Sequence, residues 1–249
     1  MRNPFVLGVG GVVSADIAVP EHEREVSFYS QVLTTGATPL WREDLMNNHG
    51  MPVIGLGARV PEYEMLPLHW MPHFQVADVA ASAARALELG GKELMHGRDE
   101  AGQSLWAGVM DPSGVGFGII PAVGDEVTLP DPSEAYGRIA GLSLLAADPA
   151  AASDYYAQVI GWSATAGARD GEFEMRRPDG DAVAVIAPEG GDRAGVPSVW
   201  MLSLPVGDMA ESLRRAESGG GEVVWRTSGD GAAVVRDPVG VHFALESSA

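Results

Sequence analysis

DPSGVGFGII, residues 111–120, and DPVGVHFALE, residues 237–246, share one pattern, an Asp-Pro-x-Gly turn running into an apolar strand. The sequence upstream of each turn recurs as well. SFYSQVL from Ser27 matches DYYAQVI from Asp154, and VADVAASAARALELGGKEL from Val76 matches VGDMAESLRRAESGGGEVV from Val206. Aligning Phe28 with Tyr155, Val76 with Val206 and Asp111 with Asp237 gives offsets of 127, 130 and 126 residues. Three blocks in one order at nearly constant spacing mark a tandem duplication. Residues 1–122 are the first expected domain and residues 137–249 the second. Residues 123–136 between them are acidic and proline-containing, have no apolar period, and read as a linker.

Each copy is halved again. GVVSADIAV from Gly11 alternates like a strand, and EHEREVSFYSQVL then places Val26, Tyr29 and Val32 at helical spacing. HWMPHFQV reads as the next strand, with Asp78 as a helix cap and Val79, Ala83 and Leu87 as one buried face. In the second copy Asp148-Pro149 is a cap followed by a first-turn proline, and Asp208 with Glu211 forms a capping-box pattern. The unit is strand, helix and several short strands, used four times, which predicts an α+β fold.

Composition narrows the partners. With 34 acidic against 16 basic residues the formal charge is −18, which repels phosphate backbones and anionic bilayers, so neither nucleic acid nor membrane is expected as a partner. The chain has no cysteine, which excludes disulfides, thiolate metal sites and cysteine nucleophiles. The apolar start MRNPFVLGVGG is broken by glycines and leads directly into the first repeat strand, so it is read as part of the fold rather than as a leader, and a cytoplasmic location is expected. Walker, HExxH and Gly-x-Ser-x-Gly patterns are absent.

FYSQVL and YYAQVIGW, the two Ala- and Gly-rich helix segments, and DPSGVGF with DPVGVHF together resemble the vicinal oxygen chelate superfamily, which includes glyoxalase I, bleomycin-resistance proteins and extradiol dioxygenases. The resemblance covers nearly the whole chain. It implies two tandem domains, each a pair of βαβββ modules whose mixed sheet curls into a cup. It also implies where a metal would be held: on the first strand of each module and on the final strand of each domain. Those positions fall on Ser14, Met71 and Gly118 in the first domain and on Gly141, Met201 and Ala244 in the second. None offers an imidazole or carboxylate, so neither a resident metal nor any other cofactor is expected.

Side chains two residues along a strand share its face. On that basis Asp16 and His73 are expected to project into the first cup, as an acid–base pair or as two ligands of a displaced metal site. A plainer assignment has His73 packing and Asp16 facing water. Ser143 and Ser203 occupy the corresponding places in the second domain, with His242 and Glu246 flanking Ala244. Ser14, Met71, Trp106, Gly118, Ser143, Met201, Ser203 and His242 are the expected ligand-contacting residues, with Asp16 and His73 the candidate catalytic ones. Trp70 and Trp200 should point away, under the helices, and His22, His49 and His96 should face solvent.

Two functions remain open on this reading. One is metal-independent binding of a hydrophobic or aromatic small molecule of natural-product type, for sequestration, resistance or delivery. The other is a metal-independent biosynthetic enzyme, an isomerase, cyclase, lyase or epoxide-opening catalyst working through Asp16 and His73. A monomer with internal domain pairing is expected, with a homodimer as the alternative.

Overall fold

Alternating apolar residues build the sheets, and aspartates start three of the four α-helices found among the described residues. The computed structural model describes residues 2–124, 127–193, 195–227, 229 and 231–248; Asp125 and Glu126 of the expected linker lie outside them. The first half runs β1 (Val12–Val19), α1 (His22–Leu33), β2 (Ile54–Ala58), β3 (Met71–Val76), α2 (Val79–Glu88), β4 (Lys92–Arg98), β5 (Ser104–Met110) and β6 (Gly116–Pro121). The second runs β7 (Gly141–Ala146), α3 (Pro149–Ile160), β8 (Ser163–Ala166), β9 (Phe173–Arg176), β10 (Ala182–Pro188), β11 (Trp200–Val206), α4 (Met209–Ser218), β12 (Glu222–Arg226), β13 (Ala232–Arg236) and β14 (His242–Ser247).

The six-stranded sheet is ordered β2-β1-β3-β6-β5-β4 and the eight-stranded sheet β12-β13-β14-β11-β7-β10-β9-β8. In both, the first strands of the two modules lie side by side and antiparallel, β1 on β3 and β7 on β11, and each pairs in parallel with the last strand of its own module. Helices cover one face of each sheet. α1 lies against α4 and α2 against α3, so the helices form the middle of the molecule and the opposite, concave sheet faces look outward. One apolar core runs through both halves, with Phe74, Phe117, Tyr156, Trp162 and Trp200 in mutual contact.

Local chemistry explains the helix boundaries. The carboxylates of Asp78, Asp148 and Asp208 accept from the backbone N–H of Ala81, Ala151 and Glu211, capping α2, α3 and α4. The buried face of α2 is Val79, Ala83 and Ala86, whereas Leu87, expected there, is 44% exposed. At about 3.6 residues per turn, the seventh residue after Val79 returns beneath it and the eighth rotates past.

The first module of the first half departs from the repeat. Between α1 and β2 the described residues contain no further strand, only an isolated bridge of Trp41 with Asn47. The segment is drawn across to the second half: the Trp41 indole donates to the Pro205 carbonyl at 2.8 Å, and the Asn47 amide donates to Gly137 at 3.0 Å. In the second half β8 and β9 fill the equivalent places, which accounts for eight strands against six. No helix among the described residues is long and apolar enough to cross a membrane.

Candidate functional site

Strand register assembles the first cup. Asp16 of β1 stands opposite Gly55 of β2 and Met71 of β3, and His73 stands opposite Gly118 of β6. Alternation turns Ala15, Ile17, Phe74 and Val76 toward the helices, where they are buried, and sends Ser14, Asp16, Met71 and His73 to the concave side. Large groups lie over small ones there. A β-carbon on Gly118 would come within 2.5 Å of the His73 ring, and one on Gly55 within 2.3 Å of Asp16 Oδ1.

His73 is the centre of the arrangement. Its Nδ1 is 2.9 Å from Ser14 Oγ, and its Nε2 is 3.6 Å from Asp16 Oδ2. Burial pushes its pKa below the ordinary value, partly opposed by the Asp16 carboxylate, so the imidazole is neutral near neutral pH. Beside it opens a cleft of about 670 Å³ whose walls include Leu56, Tyr63, Met71, Met95 and Trp106. Trp106 is 41% exposed and lies across Gly97. His69 also reaches the cleft. Its Nε2 accepts from the Gly116 N–H at 2.9 Å, and burial drives its pKa down to about 4, so it serves as a neutral acceptor that fixes the start of β6.

Five of the expected residues, Asp16, Met71, His73, Trp106 and Gly118, therefore meet at one cleft. Ser14 stands behind His73 and holds it, rather than lining the cleft itself. Sequence reasoning missed Tyr63, Leu56 and Met95. Met95 carried a usable signal, its place on the strand after a helix, but Tyr63 closes a single 3-10 turn, Pro61–Tyr63, too short to show a period.

The second cup is built by the same register and differently filled. Met201 and Ala244 cluster with Val234, and Val196, Val199, Val224 and Trp225 pack onto them. Val196 also covers Leu145 and Val185. Ser143 pairs with Met201 across β7 and β11, Ser203 stands beside Ala244, and a side chain at Gly141 would meet Ser203 Oγ at 2.9 Å. His242 sits at the start of β14 opposite Arg236, and its pKa is lowered by burial and by that guanidinium. These residues do not line the 670 Å³ cleft of the first half. A separate depression of about 580 Å³ runs between α4 and β12 past Arg214, Glu217 and Arg226; it touches none of the expected residues, and Arg214 is already paired with Glu211 there.

Other histidines depart from their expected exposure. His96 is held between Glu93 Oε2 and Ser104 Oγ, each at 2.8 Å, and its side chain is nearly buried. The His22 ring lies 2.9 Å from the Leu56 carbonyl, while His49 faces Glu134 at the surface as expected. Trp70 and Trp200 are fully buried under the helices, as their position predicts.

The donor set does not fit a resident divalent ion. Hydroxyl, thioether and hydrogen occupy the three positions of the first cup, and the His73 ring fills the space above Gly118 from which a carboxylate would reach inward. No group of three or more His, Asp or Glu side chains suited to a metal occurs among the described residues. What the arrangement offers instead is a neutral imidazole, hydrogen-bonded to a hydroxyl and flanked by a carboxylate, at the wall of an apolar cleft.

Two cupped mixed sheets of this topology, each made from two strand–helix–strand modules, define the glyoxalase-like architecture. The model of the glyoxalase-like domain matches residues 13–120 and again residues 141–246, and the chain belongs to that family. Among curated relatives, the anthracycline biosynthesis protein DnrV of Streptomyces peucetius is 31% identical over 127 residues, covering 44% of this chain and 46% of that protein. The anthracycline biosynthesis protein DauV of Streptomyces sp. (strain C5) is 30% identical over the same extent. The chain thus matches about half the length of these relatives. Among solved structures, the Mn(II)-bound glyoxalase of Novosphingobium aromaticivorans superposes with a TM-score of 0.55 at 14% identity, over 97% of this chain and 83% of that one. The 2,2',3-trihydroxybiphenyl 1,2-dioxygenase of Sphingomonas wittichii gives 0.55 at 14% identity, over 97% and 91%. At such identities the likeness is one of fold.

Proposed function

We propose that the cup of the first half binds a flat, hydrophobic or aromatic small molecule of natural-product type, holding it for sequestration or delivery without a resident metal. The observation that carries this reading is the contrast between the cups: one holds a cleft of about 670 Å³ walled by Trp106, Tyr63 and two methionines, while the same face of the other is covered by its own Val196, Met201 and Trp225. Flat aromatic rings and pliable thioethers suit a planar ligand. The anthracycline biosynthesis proteins among the relatives support a polycyclic aromatic one.

Gly108 gives a clean test. It lines the cleft, and a β-carbon there would meet Met71 and Met95 only at ordinary contact distances of 3.8 and 3.9 Å. Gly108→Leu should fill the cleft without breaking the sheet. Calorimetric titration with a dihydroxyanthraquinone should show saturable binding that weakens at least about tenfold in the variant, the loss of a few buried contacts. Undiminished binding in Gly108→Leu would place the ligand elsewhere.

A second reading rests on the Ser14–His73–Asp16 arrangement, which occurs in the open cup and has no counterpart in the filled one. In an enzyme, neutral His73 would take or return a proton at Nε2, with Asp16 beside that nitrogen stabilising the charged ring. Asp16→Asn or His73→Phe should then abolish turnover while ligand still binds. Full activity in both variants would remove this reading.

A further inference from the structure

The cup has a charge of its own. Among the described residues Asp16 is the one side chain lining the cleft with a formal charge, since no lysine or arginine of theirs lines it and burial holds both His69 and His73 toward their neutral forms. The guanidinium of Arg59 does not line the cleft, and its donors are engaged by the carbonyls of Ala18, Glu64 and Leu66. The carboxylate stands at the mouth with its side chain 65% exposed. Its neighbour His73 Nε2, at 3.6 Å, lies beyond hydrogen-bonding distance, and no donor among the described residues satisfies it.

A carboxylate acceptor with free lone pairs, in a cleft whose walls also carry the aromatic side chains of Tyr63 and Trp106, favours one kind of ligand group. An ammonium supplies several N–H donors to the carboxylate and is attracted to aromatic faces. A ligand carboxylate brought to the same place meets like charge and finds no cation to pair with.

We infer that the cup selects its ligand by charge, taking a flat aromatic molecule that carries a protonated amine, seated on Asp16, and rejecting the same skeleton carrying a carboxylate. This rests on the reading that the cup is the binding site. The discrimination belongs to the local group and not to the net charge of −18, which attracts any cation diffusely and is screened by salt.

Three probes of one skeleton separate these contributions: anthracenemethylamine, anthracenemethanol and anthracene carboxylate, titrated near neutral pH at low and at physiological salt. The ammonium probe should bind about fivefold tighter than the alcohol, and the carboxylate about fivefold weaker, as expected for a charge-assisted contact at a largely exposed carboxylate. Asp16→Asn should bring all three within about twofold of one another. Equal binding of the three probes overturns the inference, as does an ammonium preference that survives in Asp16→Asn. Gly108→Leu tells the two readings apart. If the alcohol binds and is lost in that variant while charge has no effect, charge selection alone fails; if none of the three binds, or the variant changes nothing, the binding-cup reading fails with it.

Discussion

A β-carbon on Gly118 would stand 2.5 Å from Cδ2 of His73, so the ring keeps its place, and its bond to Ser14, only while that position lacks a side chain. Gly118→Ala should swing His73 outward into water and release it from the burial that lowers its pKa. An imidazole proton titration by NMR should show the His73 pKa rising toward its ordinary value; an unmoved titration curve would mean the ring has another place to lie within the cup. Glu25 poses the opposite case, a charge-bearing residue where none is expected. It is fully buried on α1, and burial first, then the neighbouring Asp237 carboxylate through its charge and by accepting a hydrogen bond from the Glu25 carboxyl, pushes its pKa up to about 8. Glu21 acts in the same direction and Arg24 against it. A carboxyl that binds its proton more tightly in the fold than in the unfolded chain loses stability as pH rises, here between about 4.5 and about 8. Glu25→Gln keeps the shape and cannot ionise, so urea midpoints should decline less over that window and lie above wild type on its alkaline side. Parallel pH profiles for the two proteins would show that Glu25 stays paired or hydrated.

Among the helices, the caps were legible because the chemistry of a helix start is local: an aspartate accepts from the backbone three residues on, and Asp78, Asp148 and Asp208 each do so. Asp78→Ala and Asp208→Ala should each cost about 1 kcal/mol in urea denaturation. Glu21, at the start of α1, makes no capping bond, and Glu21→Ala should stay within about 0.5 kcal/mol of wild type; a loss equal to the aspartate variants would contradict the assignment. The strand faces were legible for a similar reason. Period-two alternation places Asp16 and His73 on one face whatever surrounds them, and it sends Trp70 and Trp200 to the other. What could not be read was where strands are replaced. Residues between α1 and β2 include Trp41 and Asn47, ordinary strand or turn residues, and their partners Pro205 and Gly137 lie more than eighty positions away. Tyr63 escaped for the same reason, since a single 3-10 turn is placed by what it packs on and not by a period. Emptiness or filling of a cup is likewise a tertiary outcome, set by Val196 and Trp225 in the second half.

The duplicated motifs acquire their physical meaning only in the whole molecule. Asp111 and Asp237 each use one oxygen to accept the backbone N–H groups of their own turns. The other oxygen of each crosses between the halves, Asp111 accepting from Tyr156 at 2.9 Å and Asp237 from Tyr29 at 3.0 Å. The tyrosine of each helix motif thus pairs with the aspartate of the opposite copy's turn, and the two bonds are related by the duplication. The sequence displayed all four residues but not that they pair crosswise, because a repeat says which residues are equivalent and nothing about which ones meet. Both bonds are buried beside one continuous core, so the halves should unfold together. Tyr156→Phe leaves a buried carboxylate short of a donor and should cost about 1–3 kcal/mol, and Tyr29→Phe a similar amount. The stronger expectation concerns cooperativity. Tryptophan fluorescence and far-ultraviolet circular dichroism should report one coincident urea transition in the wild type, and each tyrosine variant should shift that whole transition to lower urea with its slope preserved. A variant that splits the curve, moving one half while the other holds its midpoint, would show that each half has a stability of its own and that the crossed bonds merely join two finished domains.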